Sequence, residues 1–345
     1  MYTSIIRPLA FKLSPENAHK AVFTCLKLAQ NIGLGSLTRK ILHPSSLHLE
    51  TVVCGIKFPN KIGIAAGLDK NAEAYKMLGN MGFGHVEIGT VTPKSQPGNP
   101  KPRSFRLPKD KALINRMGFN NNGLDSAINK LKKRNSRLII GGNIGKNTIT
   151  PNSEALNDYI CCFNGLYDYV DYIVVNVSCP NVTDLHKLQD QDALEEILQK
   201  LTDLRKEKSI YKPIFLKISP DLNAKQIDET IDVVYKCNTD GIIATNTTIK
   251  RDHLSSEKAK IKAIGNGGLS GLPIKDRSTE LIRYISNKTQ GNLPIIGVGG
   301  VFSAKDAIEK IEAGASLVQV YSGFIYEGPS LGKRINKALK DKLHM

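Results

Sequence analysis

Eight short runs rich in Val and Ile recur along this chain, each followed by a stretch with helical spacing. They are Lys61–Gly67, His85–Val91, Arg137–Gly145, Tyr172–Cys179, Pro213–Ser219, Gly241–Thr247, Pro294–Gly300 and Leu317–Gly323. Near-continuous β-branched residues mean burial on both faces, the mark of parallel strands. The intervening stretches are amphipathic. In Asp192–Lys208, residues Leu194, Ile197, Leu198, Leu201 and Leu204 share one side. Another helix opens on Ser303 as N-cap and closes on Gly314. Eight alternating β and α units predict an α/β fold, the (β/α)8 TIM barrel. A doubly wound sheet is the alternative, but eight such strands with no switch point favour closure. The 345 residues suit one barrel with additions.

The first ~50 residues stand outside this alternation. Ser14 reads as an N-cap with Pro15 at the first helical position. Ala18, Ala21, Val22, Cys25, Leu26 and Ala29 then form an apolar stripe. A second short helix, Leu34–Leu42, carries Arg39 and Lys40. The expected organisation is a two-helix extension over 1–49 and a barrel over 50–345, opened by a small hairpin in Glu50–Asn60. Pattern alone favours a helical hairpin capping the barrel over a membrane-surface element with an apolar face and a basic rim.

Composition narrows the function. A formal charge of +16 raises nucleic-acid binding. The basic blocks Lys130, Lys132, Lys133, Arg134 and Lys258, Lys260, Lys262 lack interleaved aromatics, and Trp is absent. A basic enzyme surface that favours anionic substrates or anionic lipid is the better account. The six cysteines form no CxxC pair and the seven histidines no HxxxH, so neither a metal site nor a disulfide framework is expected. Free thiols suit a reducing compartment. No secretory signal and no run near ~18 apolar residues is seen.

Each run ends in polar or glycine residues, where a barrel of this type keeps its chemistry. Glycines crowd the last two strand ends, at Gly297–Gly300 and Tyr321–Phe324, and the loop after the sixth strand, Gly267–Gly271. Such backbone approaches a phosphate closely. Lys70 follows the first strand. Lys217 sits inside the fifth among apolar neighbours, a costly place unless an anion meets it. Asn115, Asn120, Asn143, Asn176, Asn181 and Asn246 offer the donors and acceptors that suit a planar ring with carbonyls and N–H groups. Asx-turn chemistry explains any one of them but not all six. Cys179, stiffened by Pro180, has no neighbouring His to activate it as a nucleophile, so a proton-abstracting role suits it better than an inert buried thiol.

Read together, AAGLDKN, EIGTVTPKSQPGNPKPR, INRMGFNN, NIGKN, NVSCPN, LKISPDL, ATNTT, GGLSG, IIGVGG and LVQVYSGFIYEGP, in this order and with the N-terminal helices, resemble the quinone-linked class 2 of dihydroorotate dehydrogenase. The resemblance covers nearly the whole chain. It implies FMN at the barrel mouth, contacted by Ala66, Gly67, Lys70, Thr90, Asn143, Asn176, Lys217 and Thr245. Gly271, Gly300, Tyr321 and Ser322 would hold the phosphate end. Lys70, Asn115, Arg116, Met117, Gly118, Phe119, Asn176, Asn181, Asn246 and Thr247 would bind dihydroorotate or orotate. Cys179 would take a proton while a hydride leaves for the flavin, in pyrimidine (UMP) biosynthesis, and a membrane quinone would take the electrons. The resemblance further implies a quinone tunnel in the N-terminal helices. It also implies a peripheral place on the cytoplasmic face of the cell membrane, as a monomer or weak oligomer, without nucleic acid.

Two positions depart from that class. Its usual base is serine, and cysteine marks the soluble class, which uses fumarate or NAD. The usual TPGL after the loop asparagine is Val182, Thr183, Asp184 and Leu185 here. The soluble class is therefore the nearest alternative, supported by Cys179 and opposed by the N-terminal helices. A non-enzymatic barrel binding a phosphate ligand is the remaining one. A thiol in place of a serine also predicts activity persisting to lower pH, unless burial raises its pKa.

Overall fold

The computed structural model describes residues 2–43, 49–134, 138–181 and 185–343. All eight runs form strands: β1 (Ile62–Asp69), β2 (His85–Val91), β3 (Ile139–Ile144), β4 (Tyr172–Asn176), β5 (Ile214–Ile218), β6 (Gly241–Ala244), β7 (Ile295–Val298) and β8 (Leu317–Val320). Each pairs in parallel with the next, and β8 returns to β1 through Val318 opposite Ile62. That closure excludes the doubly wound sheet. The start of the third run, at Arg137, lies outside the described residues.

Alternation along each strand divides the core into two layers. Ile173 and Val175 of β4, Ile214 and Leu216 of β5, and Val86 and Ile88 of β2 face the helices. Tyr172 and Val174, Phe215, and Ile243 of β6 pack together inside. The lower interior is a plug of rings. His85 and Phe215 lie edge-on to Tyr172 at 6.4 and 5.6 Å, and Phe58 of the hairpin Thr51–Val53/Ile56–Phe58 meets His85 at 5.3 Å. The plug closes the N-terminal end of the barrel and leaves the C-terminal end for function.

The helices follow their sequence signals. Gln191–Lys206 buries Leu194, Ile197, Leu198 and Leu201. Ala304–Glu312 opens with a reciprocal capping box between Ser303 and Asp306. It closes with Gly314 at φ 112°, where the Gly314 and Ala315 N–H groups reach the Ile311 and Lys310 carbonyls.

Gly267–Gly271 and Asn115 differ from the sequence expectation of loops. Gly268–Gly271 pairs antiparallel with Ala112–Asn115, which pairs with Ser104–Leu107. These strands have four residues each, and the first two pair across some 150 positions of sequence, so no local pattern announces them.

Among its described residues the N-terminal segment holds, after a π-helical turn at Tyr2–Ile6, three α-helices, α1 (Arg7–Lys12), α2 (Pro15–Asn31) and α3 (Gly35–Leu42), one more than expected. Six residues give α1 too little periodicity to read. Ser14 caps α2 by accepting from the Asn17 N–H at 3.3 Å. The segment is fastened to the barrel by Arg103–Glu16 (3.0 Å) and Lys27–Glu73 (3.2 Å). Tyr2 Oη also donates to the Ile325 carbonyl at 2.7 Å. Its outer face exposes Ile5, Leu9, Leu28, Ile32, Leu37 and Ile41. The expected boundary at 49 adjoins residues 44–48, outside the described residues.

Ser303→Ala removes one half of the capping box. It should lower unfolding free energy by about 1 kcal/mol in a urea titration, with no change in the folded spectrum.

Candidate active site

The C-terminal ends of the strands surround an open cavity. Every expected site residue lines it except three. Asn143 lies one layer below, fully buried. Arg116 turns away: its guanidinium donates to the Ile264, Asn266 (3.1 Å) and Pro102 (3.2 Å) carbonyls and stacks over Phe105 at 4.7 Å. It braces the loop and does not face the cavity. Asn120 lies on a second, adjoining cavity.

The amides form one wall. Asn176, the last residue of β4, donates to Thr90 Oγ1 at 3.0 Å and Asn143 Oδ1 at 3.3 Å. Its own Oδ1 accepts from Asn246 Nδ2 at 3.2 Å. Asn181 Nδ2 donates to Asn115 Oδ1 at 3.1 Å, and its buried Oδ1 has no partner among the described residues. A buried unpaired acceptor in a cavity wall is costly, and a ligand N–H is what it lacks.

Lys217 points into the cavity from β5. The anion it needs inside the protein is Glu87 of β2, whose Oε1 lies 3.4 Å from the ammonium. Glu87 was missed in the sequence, although the signal that singles out Lys217, a charge inside an apolar strand, is equally present in HVEIGTV. Gln319 and Ser270, which unlike Glu87 line the cavity, were not singled out either.

At the other end the backbone forms a cradle. Gly271 and Gly300 have φ of 106° and 70°. A Cβ on them would come within 2.4 Å of the Lys111 carbonyl and of Lys275 Cβ. Only glycine fits, which leaves bare backbone beside the Ser270–Ser322 hydroxyl pair, 2.9 Å apart.

Cys179 is 8% exposed. Burial pushes its thiol up to about 11, while the Asn181 N–H, the Asn181 side chain and the Lys217 charge pull it the other way. The expectation of activity extending to lower pH is therefore not supported, because desolvation dominates. Lys70 donates to the Gly67 carbonyl at 2.8 Å. Burial and the nearby Arg103 lower it to about 8, opposed by Glu16 and Asp69. An anionic ligand would raise it again.

The second cavity runs between α2 and the barrel past Ala18, His19, Val22 and Phe23. It shares Lys70, Asn115, Met117 and Tyr321 with the first.

The family model for dihydroorotate dehydrogenase matches residues 48–343. A relative named dihydroorotate dehydrogenase (quinone), from Christiangramia forsetii, is 50% identical over 99% of both chains. Another of that name, from Cellvibrio japonicus, is 46% identical over 95% of both. The crystal structure of DHODH from Eimeria tenella in complex with ferulenol superposes with a TM-score of 0.82 at 37% identity, covering 96% of this chain and 92% of that one.

The chain belongs to the dihydroorotate dehydrogenase family.

The family implies a flavin, and the residues present fit one. The glycine cradle suits a phosphate, and the amide wall with Lys217 suits a ring bearing carbonyls and N–H groups. The departure at Val182–Asp184 from the usual dihydroorotate dehydrogenase loop lies outside the described residues.

If Cys179 is the base, the thiolate fraction limits proton removal. A thiol near 11 predicts kcat/KM still climbing above pH ~8.5, where an ordinary thiol levels off. A pH–rate profile of the flavin-loaded enzyme checks this, and a plateau at or below that pH contradicts the raised value.

Proposed function

We propose that this protein oxidises dihydroorotate to orotate in pyrimidine biosynthesis and passes the electrons to a membrane quinone. The observation that carries this reading is the junction of the two cavities at Lys70, Asn115, Met117 and Tyr321. The chamber that holds the amides and Cys179 opens there onto a second passage under the N-terminal helices. The soluble class has no use for that passage.

FMN is the flavin we assign. Ala66, Gly67, Thr90, Asn176, Lys217 and Thr245 would line its ring, with Asn143 behind them, and Gly271, Gly300, Tyr321 and Ser322 would hold its phosphate. When bound, it accepts the hydride from the substrate and releases two electrons to the quinone.

The chain's own residues do the rest. Asn115, Asn176, Asn181 and Asn246 orient the pyrimidine, with Thr247 and the Met117–Phe119 backbone closing around it. Lys70 meets its carboxylate. Cys179 Sγ, as thiolate, removes a proton from the ring CH₂, and the substrate gains its double bond as the hydride departs. Lys217 faces the same space with a positive charge that stabilises negative charge developing there. Helices α1 and α2 would form the outer wall of the quinone passage, and the exposed Leu9, Leu28, Ile32, Leu37 and Ile41 would rest on the lipid surface. Among the described residues no helix is long and apolar enough to cross a membrane.

Cys179→Ala should keep the flavin and lose dihydroorotate oxidation by a factor of ~10² or more, the usual worth of a general base. Full activity in that variant refutes the assignment. Ala18→Trp should obstruct the passage. Quinone KM should rise roughly tenfold, ~1.4 kcal/mol, while stopped-flow bleaching of the flavin by dihydroorotate is unchanged. Steady-state assays of the unmodified enzyme with a quinone analogue, fumarate and NAD decide between the two classes, the quinone being the expected acceptor.

A further inference from the structure

Glu87 does not line the cavity, and its side chain is fully buried. Its Oε1 accepts from Asn143 Nδ2 at 2.8 Å and Lys217 Nζ at 3.4 Å, and its Oε2 accepts from Gln319 Nε2 at 2.8 Å. Asn143 is held in this orientation from its other side, where Oδ1 accepts from Thr90 Oγ1 at 2.6 Å and Asn176 Nδ2 at 3.3 Å. Every neighbour of the carboxyl group is a donor. That is the environment of an ionised carboxylate, since a protonated one needs an acceptor for its own hydrogen. The lysine that faces the cavity is thus already paired from below.

We propose that Glu87 is a positioning residue that sets the reduction potential of the bound flavin by holding half of the Lys217 charge. This rests on the flavin reading above. The charge balance is simple. The oxidised ring is neutral, so Lys217 and Glu87 cancel. Dihydroorotate gives up one C–H bond as a hydride, two electrons and a proton, and a second C–H proton goes to Cys179. The ring therefore gains one negative charge. Lys217 then serves two anions, and in a dry interior each weakens its hold on the other. Without Glu87 the lysine would bind the reduced ring too well, and the electrons would leave for the quinone slowly. Glu87 keeps the reduced state only moderately stabilised, so that one site both takes electrons from dihydroorotate and yields them.

Glu87→Gln tests the charge with little change of shape. The Oε1 of Gln319 is buried and has no partner among the described residues. When that amide turns over, it can accept from the new amide's N–H₂, so the packing is preserved. Potentiometric titration of the flavin-loaded protein should show the reduced-to-oxidised ratio at a fixed potential rising tenfold or more, about +30 mV for a two-electron couple. Stopped-flow reoxidation by a quinone analogue should slow, and reduction by dihydroorotate should not. Lys217→Gln should shift the potential the opposite way, with the double variant between the two singles. A potential that is unmoved or lower in Glu87→Gln overturns the proposal. If Glu87→Gln loses flavin, the double variant decides. Recovered flavin means the loss came from unbalanced charge and supports the proposal, whereas continued loss makes Glu87 a structural acceptor and overturns it. Unmodified protein without flavin overturns the proposed function, and this inference with it. A flavin-loaded one with an unmoved variant overturns this inference alone.

Discussion

A strand in a closed barrel sends alternate residues inward and outward, and everything at this site follows from that constraint. In β2 it sends His85 and Glu87 inside while Val86 and Ile88 meet the helices. In β4 it does the same for Tyr172, Val174 and Asn176, and in β5 for Phe215 and Lys217. The inward residues change character with height. The lower layer is rings and aliphatics, and the next is carboxylate, ammonium and amide. The lower layer keeps water out from beneath. The upper layer therefore must satisfy its own charges, and it does so through Lys217, Glu87, Gln319 and Asn143.

That self-sufficiency shapes the chemistry above. Buried charges that lack partners are expensive, so the floor of the cavity is rigid by necessity. Its rigidity extends up through Asn176 to Asn246, Ser178 and the Cys179 loop. The groups left partly unsatisfied are those that face open space: the Asn181 oxygen, the Lys70 ammonium with its lowered pKa, and the Cys179 thiol with its raised one. The protein completes its floor and leaves its walls for a ligand to complete. The N-terminal helices then add a second, mostly apolar space reached through Lys70 and Tyr321.

The barrel was legible because eight buried parallel strands need eight continuous apolar runs, and the capping signals of Ser14, Ser303 and Gly314 act within a few residues of themselves. The amides and Cys179 were legible because polar residues ending an apolar strand have few other reasons to be there. Arg116 was misplaced because its position in a loop motif says nothing of where its guanidinium goes. That was decided by the Ile264 and Asn266 carbonyls, about 150 residues away in the chain. The antiparallel sheet of Ala112–Asn115 and Gly268–Gly271 was hidden for the same reason.

Sequence alone therefore determined the strand count, the end of the barrel that gathers the polar groups, the thiol just beyond β4 and the glycine cradle. All of these are set by residue type and by periods of two and 3.6. Tertiary structure alone decided which charges meet. Glu87 and Lys217 are 130 residues apart in the chain, and only closure of the barrel brings them to 3.4 Å across its interior. Desolvation is likewise a property of the folded surroundings, so it was the fold and not the cysteine itself that pushed the Cys179 thiol upward.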